Sequence, residues 1–286
     1  MVQEKTLAQL KRWFEQYSDG FHNGVPEHDQ NIDLKIEHTR RVCAEIRDIG
    51  NSLHLDTGDL RLAEVVALFH DLGRFEQYDR YGTFVDLRSE DHAVLGVKVL
   101  NSTGVLEGIH RNTQGLIKRV VGYHNWRMLP EDETEDCLFF TKLLRDADKL
   151  DIFRVVTDYY RTNDGTRNTS IELDLPDTPD VSEEVCADIK GGKIVKTVSL
   201  RTLNDFKLLQ MAWVYDVNFS RTFRLIKDRK YLEAIRRSLP KTKMIADISS
   251  QLEAYVEKQC GQDRNGERIR KRHKAQGARS KEDDSS

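Results

Sequence analysis

Apolar residues recur every three or four positions along most of this chain, and that spacing restricts the fold more than any other feature of the sequence. The first example is the set Leu7, Leu10, Phe14 and Tyr17, which would share one face of a helix. The 286 residues include only five prolines, so few positions forbid helical backbone. We therefore predict an all-α protein.

The predicted helices occupy most of the first 260 residues. They cover about 7–19, 31–53, 59–73, 113–123, 133–160, 203–225, 231–238 and 244–258, and another begins at Ser89. Gly73 is the expected C-cap of the third helix. The segment 74–88 has no helical period and is predicted to be a loop lying over another element. A short strand is predicted at 193–198.

Composition excludes several classes of protein. With 45 Lys and Arg against 48 Asp and Glu, the net charge of −3 gives no whole-chain reason to expect nucleic-acid binding. No apolar run approaches the roughly 20 residues of a membrane span. The N-terminal segment lacks the apolar core of a signal peptide. We therefore expect a cytoplasmic protein without a membrane partner, whose four scattered cysteines are reduced thiols.

Histidine is concentrated in one part of the chain, since seven of the nine lie between Pro26 and Trp126. Four of these seven and two aspartates fall, one or two at a time, on separate predicted elements: His38, His70, Asp71, His92, His124 and Asp148. Helical bundles build metal sites in this way, because each helix projects one or two ligands inward. Aspartate is also unfavourable inside a helix, so the three aspartates of 145–151 need a reason.

Imidazole and carboxylate ligands together suit Mn, Fe, Co, Ni or Zn, with Mg also allowed. One ion needs about four protein ligands, so the six candidates are enough for one or two ions. The first-ion set is His38, His70, Asp71 and Asp148, and His92 and His124 would complete a second. Helical periodicity alone leaves Asp146 open as an alternative to Asp148.

The local sequence around these residues resembles a known family. HDLG follows the apolar stretch VVALF, DHAVLG and VVGYHN surround the next two histidines, and DADKL lies on a later helix. Over about 31–153 this order is similar to the HD-domain superfamily of metal-dependent phosphohydrolases, in particular its six-ligand dinuclear branch. The resemblance implies an all-α bundle that hydrolyses a phosphoester or phosphoanhydride, often in a nucleotide. It also favours Asp148 over Asp146 as the last ligand, through the match at Ala147 and Asp148.

The resemblance also suggests roles for individual residues. Asp71 would bridge two ions and orient a metal-activated hydroxide. Arg74 stands where many members have lysine, and its guanidinium would grip phosphate during catalysis and binding. Lys149 and Tyr81 are further candidates for substrate contact. Asp146 and Asp151 are expected to accept hydrogen bonds that orient the ligand histidines.

Four segments are predicted. Residues 1–160 would form the HD-type metal-binding helical domain, 161–198 an irregular insertion, and 199–260 a C-terminal helical part packed on the same domain. The tail, 261–286, has eight Lys and Arg, five Asp and Glu and almost no apolar residues, so it is expected to be disordered. No firm nucleic-acid binding is expected from it.

The expected function is a metal-dependent phosphohydrolase acting on a small phosphorylated substrate, in the first instance a nucleotide. Two alternatives use the same ligands. One is a mixed-valent di-iron oxygenase, and the other is a nucleotide-sensing HD module without turnover. The sequence leaves open the identity of the substrate and of the metal, and whether the protein forms an oligomer.

Overall fold

The computed structural model describes residues 2–162 and 169–261. Every regular element in these ranges is a helix, which confirms the predicted all-α class. The α-helices are α1 (Glu4–Asp19), α2 (Pro26–Ser52), α3 (Thr57–Phe69), α4 (Gly73–Tyr81), α5 (His92–Ser102), α6 (Arg111–Tyr123), α7 (Glu135–Arg161), α8 (Thr169–Glu172), α9 (Glu183–Lys190), α10 (Leu203–Ala212), α11 (Ser220–Asp228), α12 (Tyr231–Arg237) and α13 (Lys243–Cys260). Short 3-10 turns lie at Asp86–Arg88, Thr197–Ser199 and Trp213–Asp216.

Two long helices, α2 and α7, form the centre of the molecule. They pack against each other, α3 packs against both, and α6 packs against α3 and α7. Fully buried side chains fill these contacts, among them Ile46 on α2, Phe69 on α3 and Phe140 on α7. Burial of each such side chain contributes roughly 1.5–3 kcal/mol. Helices α2, α6 and α7, which carry candidate ligands, and α3, which directly precedes two of them, are therefore held together by this apolar packing.

The C-terminal helices attach to the same two central helices. Helices α11 and α12 contact α7, and α11 also contacts α2. Two ion pairs reinforce the contact with α2: Arg221 Nε lies 3.0 Å from Asp48 Oδ2, and Arg229 Nη1 lies 2.6 Å from Glu45 Oε1. The four-segment division stays a prediction. The predicted tail, beyond Gly261, lies outside the described residues.

Three local predictions were wrong, each because a tertiary contact overrides the local pattern. Part of 74–88 is helix α4, whose polar Gln77 is fully buried and breaks the expected apolar spacing. No strand forms at 193–198 within the described residues, since no neighbouring strand is there to pair with it. The helix predicted at 203–225 is broken, because the backbone amides of Asn218 and Phe219 donate to the side chain of Asp146.

Helix α5 begins three residues later than the predicted start at Ser89. Asp91 is its N-cap, and its carboxylate accepts hydrogen bonds from the backbone amides of Ala93 and Val94. His92 is therefore the first residue of the helix. Within the described ranges, no helix combines the length and apolarity needed to cross a bilayer.

Gly73 is the first residue of α4 and not the C-cap of α3, as the sequence suggested. A Cβ atom added at Gly73 would lie 2.2 Å from the carbonyl oxygen of His92 and 2.5 Å from the backbone nitrogen of Gly96. Both atoms belong to the backbone of α5, so a rotamer change cannot relieve the clash. The glycine of HDLG is therefore required by the close approach of α4 and α5.

We expect Gly73→Ala to destabilise the protein by about 1–3 kcal/mol, the usual cost of overpacking, because α5 must move away from α4. Chemical denaturation followed by circular dichroism measures the change. Gly108→Ala is the matched control, since no atom lies within 4 Å of a Cβ built there and its backbone is not left-handed. Equal stability of the two variants would show that the approach of α4 to α5 is not as close as described.

Candidate metal centre

The six candidate ligands converge on one place from five parts of the fold. Those parts are α2, the turn after α3, the start of α5, the end of α6 and the middle of α7. The ligands in that order are His38, the pair His70 and Asp71, His92, His124 and Asp148. All are buried except Asp148, whose side chain is 20% exposed. Because these side chains are buried, their polar atoms contact one another and the residues packed around them.

One half of the centre is formed by His38, His70, Asp71 and Asp148. The Nε2 atoms of His38 and His70 lie 3.2 Å apart. Asp148 Oδ1 lies 3.2 Å from His38 Nε2 and 3.8 Å from His70 Nε2. Asp71 Oδ2 lies 3.6 and 3.7 Å from the same two nitrogens. The four donor atoms surround a space of the size that one metal ion occupies.

The other half is formed by His92, His124 and the second oxygen of Asp71. The Nε2 atoms of the two histidines lie 3.0 Å apart. Asp71 Oδ1 lies 3.4 Å from His92 Nε2 and 3.8 Å from His124 Nε2. Asp71 thus turns one oxygen to each histidine pair. Within the described residues, each half has a trio of donors lying within 4.8 Å of one another, and Asp71 belongs to both.

The Nδ1 atom of each histidine is fixed by a second partner. The partners are Asp151 Oδ2 for His38 at 2.7 Å, Ala67 O for His70 at 2.7 Å, Asp86 Oδ2 for His92 at 2.8 Å and Val121 O for His124 at 2.7 Å. An acceptor at Nδ1 fixes the hydrogen there and leaves the Nε2 lone pair facing the centre. This is how metal-binding histidines are held, so the four rings are oriented for ligation.

Burial keeps most of these histidines neutral. It lowers the pKa of His70, and it lowers the pKa values of His92 and His124 to about 4. His38 differs: burial lowers its pKa, but the carboxylates of Asp148 and Asp151 outweigh burial and raise it. Two neutral Nε2 atoms 3.0 Å apart both offer lone pairs and cannot bond to each other. A cation between them satisfies both, so the donor set fits a metal ion.

Asp71 is held as a carboxylate between cations. Burial alone would raise its pKa, but the positive charges of Lys35 and Arg74 hold that pKa well below its usual range. Lys35 Nζ lies 2.8 Å from Asp71 Oδ2 and 5.1 Å from the centre of the Phe84 ring. Lys35 is not among the residues predicted from the sequence. Its position one turn before His38, on the same face of α2, is the signal that identifies it.

Arg74 also lies beside Asp71, with its Nε 3.6 Å from Asp71 Oδ1. Its Nη1 donates to Gln77 Oε1, to the carbonyl of Phe84 and to Asp86 Oδ1 at 2.6–2.8 Å. Its Nε is buried and has no hydrogen-bond partner among the described residues. The guanidinium is thus anchored at one end and has a free donor near the centre.

Asp86 is the second residue that the sequence analysis missed. It connects Arg74 to His92, because its two oxygens contact the two side chains separately. Burial would raise the pKa of Asp86, but His92 and Arg74 hold it well below its usual range. No sequence signal identifies this residue, because its role depends on how the segment after α4 folds back over the centre.

The supporting residues predicted from sequence fall in different places. Asp151 contacts His38 as expected, and Arg41 Nε holds the other oxygen of Asp151 at 2.5 Å. The prediction for Asp146 was wrong: its carboxylate accepts from the backbone amides of Asn218 and Phe219 at 3.0–3.1 Å. Residues two apart point to opposite sides of a helix, so Asp146 faces away from the centre that Asp148 faces.

Tyr81 and Lys149, the two other predicted substrate contacts, lie outside the ligand set. The side chain of Tyr81 is 48% exposed at the end of α4 and makes no hydrogen bond or ring contact with the six ligands in the part of the chain described. Lys149 Nζ lies 2.7 Å from Asp216 Oδ2, at a cavity that Asp148 also lines. Lys149 is therefore placed beside the centre, and Tyr81 is not.

Comparison with protein families agrees with this geometry. The family model described as HD domain matches residues 36–152, a range that starts in α2, ends in α7 and includes all six ligands. Residues 36–152 therefore match the HD domain, a family that consists in general of metal-dependent phosphohydrolases. No curated protein and no solved structure matches the chain.

We expect the metal-free protein to lose stability as the pH falls from about 6.5 to about 4. In that range the unfolded chain protonates His92 and His124, whose folded pKa values are about 4, so the unfolded state binds more protons. Each of the two contributes a slope of up to about 1.4 kcal/mol per pH unit. His70 acts in the same direction, whereas the raised pKa of His38 gives a contribution of opposite sign that changes mainly above about 6.5, outside this range.

Melting temperatures in EDTA at several pH values measure this slope. The double variant His92→Gln, His124→Gln should flatten it, whereas His110→Gln, at an exposed N-cap position, should not. An unchanged slope in the double variant would contradict the assignment of these two histidines as neutral in the folded state.

Proposed function

We propose that this protein is a phosphohydrolase that uses two divalent metal ions to cleave a phosphoester or phosphoanhydride of a small substrate, in the first instance a nucleotide. The observation that carries the proposal is the position of Asp71, whose two oxygens face two separate histidine pairs. The donor types favour Mn, Fe, Co, Ni or Zn, with Mg also allowed.

The ligands divide between the two ions as the distances group them. His38, His70, Asp148 and Asp71 Oδ2 would hold one ion, and His92, His124 and Asp71 Oδ1 the other. When bound, such ions supply Lewis acidity and lower the pKa of coordinated water toward 7. Asp151 and Asp86 would each orient one ion site, because each fixes the ring of a ligand histidine.

Arg74 and Lys35 are the residues of this chain best placed to bind the phosphoryl group. They approach opposite oxygens of Asp71, and the free Nε of Arg74 offers a charged donor to a phosphate oxygen. In the hydrolysis, water adds to phosphorus, the bond from phosphorus to the leaving oxygen breaks, and that oxygen takes a proton from the water. The positively charged side chains of Arg74 and Lys35 would stabilise the negative charge that develops on the phosphoryl oxygens.

We expect two divalent ions per chain by elemental analysis of the purified protein. Substituting His124→Gln should reduce the content to one, and Asp71→Asn should weaken both sites, because only Asp71 serves both. His54→Gln is the control and should leave the content at two. A metal content that is unchanged in Asp71→Asn would contradict a bridging role for this residue.

We expect turnover on a panel of phosphoesters and nucleotides with Mn, Co, Ni or Mg. Arg74→Met should lower kcat/KM by about 10²-fold, as removal of a charge-stabilising donor does in other enzymes. Arg88→Met is the matched control, since that arginine pairs with the exposed Asp174 away from the ligand set. Equal loss in both variants would contradict the proposed role of Arg74.

Visible absorption, O2 uptake and nucleotide binding, measured together with turnover, separate the two other interpretations of the ligand set. A protein with a visible-range chromophore that consumes O2 and releases no phosphate would be an oxygenase. A protein that binds nucleotides without turnover under every metal would be a sensing module. Either result would overturn the proposed phosphohydrolase function.

A further inference from the structure

A cavity of about 510 Å³ lies next to the candidate metal centre. Two of its lining residues, His124 and Asp148, belong to the ligand set, so the cavity adjoins the place where the reaction is proposed to occur. We call it the side cavity. Its volume is within the range of small-molecule binding sites, about 300–1,000 Å³. The other residues that line the side cavity do not belong to the ligand set.

One wall of the side cavity is apolar. Ile152 lies one turn after Asp148 on α7, and Phe206 and Leu209 come from α10, with Trp213 just beyond it. The Trp213 ring packs edge-on against Phe153, with 5.9 Å between the ring centres, which holds the indole in place. This wall favours the binding of an apolar group about the size of a ring, because binding removes the apolar surface of that group from water.

The other side of the cavity has more positive than negative charge. Among the residues that the structure describes, Arg127, Arg145, Lys149 and Lys196 line it, and the lining carboxylates are the ligand Asp148 and Asp216. Asp216 Oδ2 is shared by Arg145 at 2.5 Å and Lys149 at 2.7 Å. One carboxylate therefore already faces two cations, and it neutralises neither Arg127 nor Lys196.

Arg127 and Lys196 are the uncompensated charges. Both are exposed, and in the part of the chain described neither has a carboxylate within ion-pair distance. Arg127 Nη2 donates to the carbonyl of Ile194 at 3.4 Å, which brings the segment after α6 next to 194–198 at the cavity. A local excess of positive charge in a chain of net charge −3 favours an anion at this place.

We propose that the side cavity binds the leaving group of the substrate, and that this group joins a ring-sized apolar body to a second anionic group, a carboxylate or a phosphate. The apolar body packs against Trp213 and its neighbours, and Arg127 and Lys196 bind the second anion. This inference rests on the proposed hydrolase function, because it assigns the part of the substrate that does not react.

The test compares three esters that differ only in the presence and position of the second anion. The metal-loaded full chain is assayed with phenyl phosphate and with its 3- and 4-carboxy derivatives. We expect kcat/KM for at least one carboxylated ester to exceed that for phenyl phosphate by roughly tenfold, as two partly exposed ion pairs would give. Lys196→Glu should remove or reverse this preference, and Arg127→Met should reduce it. Lys98→Met, at a lysine paired with Glu90 outside the cavity, should leave the preference unchanged.

A binding measurement gives a second readout that does not depend on turnover. Isothermal titration of the same proteins with phenol and with 3- and 4-hydroxybenzoate compares the two kinds of leaving group directly. We expect a hydroxybenzoate to bind more tightly than phenol, and Lys196→Glu to abolish the difference. Hydrolysis of all the esters at equal efficiency would overturn the side-cavity inference and leave the hydrolase proposal standing. If none of the three esters is hydrolysed, the titration decides whether the cavity binds anionic ring compounds, and the panel of phosphoesters and nucleotides decides the hydrolase proposal.

Discussion

Four buried imidazoles place their Nε2 atoms around the two oxygens of Asp71, and the neutral rings of His92 and His124 cannot satisfy each other's Nε2 lone pairs. Buried acceptors that face one another are costly unless a proton or a cation lies between them. Protons are a poor solution here, because burial lowers the pKa of three of the four histidines. A bound cation is the solution that the donor types favour. Five separate elements hold this set in place, because α2, α3, α6 and α7 pack together and α5 packs on α4 and α6.

The rigidity of the centre comes from the residues behind the ligands. Two ligand histidines donate to carboxylates, Asp151 and Asp86, and two donate to carbonyl groups one turn earlier in the chain. The carboxylates are in turn held by arginines, Arg41 and Arg74. Two rings are thus fixed by chains of charged hydrogen bonds and two by backbone carbonyl groups, so a metal ion would meet ligands that are already oriented. Preorganisation of this kind reduces the entropy lost on binding.

Helix α7 connects the metal centre to the C-terminal part of the chain. Asp148 lies on the face of α7 that contributes to the centre. Asp146 lies on the opposite face and accepts hydrogen bonds from the backbone of the segment between α10 and α11. That broken segment carries Asp216, which pairs with Lys149 and Arg145 on α7. The C-terminal helices therefore supply walls of the side cavity while the HD domain supplies the ligands. In our proposals the chemistry belongs to residues 36–152, and the choice of substrate belongs to the helices that follow them.

The helical class, the approximate extent of the long helices and the order of the six candidate ligands can all be predicted from the sequence. These follow from local properties, because the 3.6-residue period and the donor type of a side chain are visible without the fold. The folded structure is needed to show that Asp148 faces the centre and Asp146 does not, that His38 pairs with His70 and His92 with His124, and that Lys35 and Asp86 join them. It also shows where α4 forms and where the helix after Leu203 breaks. The physical reason is that these features depend on contacts between residues distant in the chain, and such contacts arise from packing that no local pattern encodes.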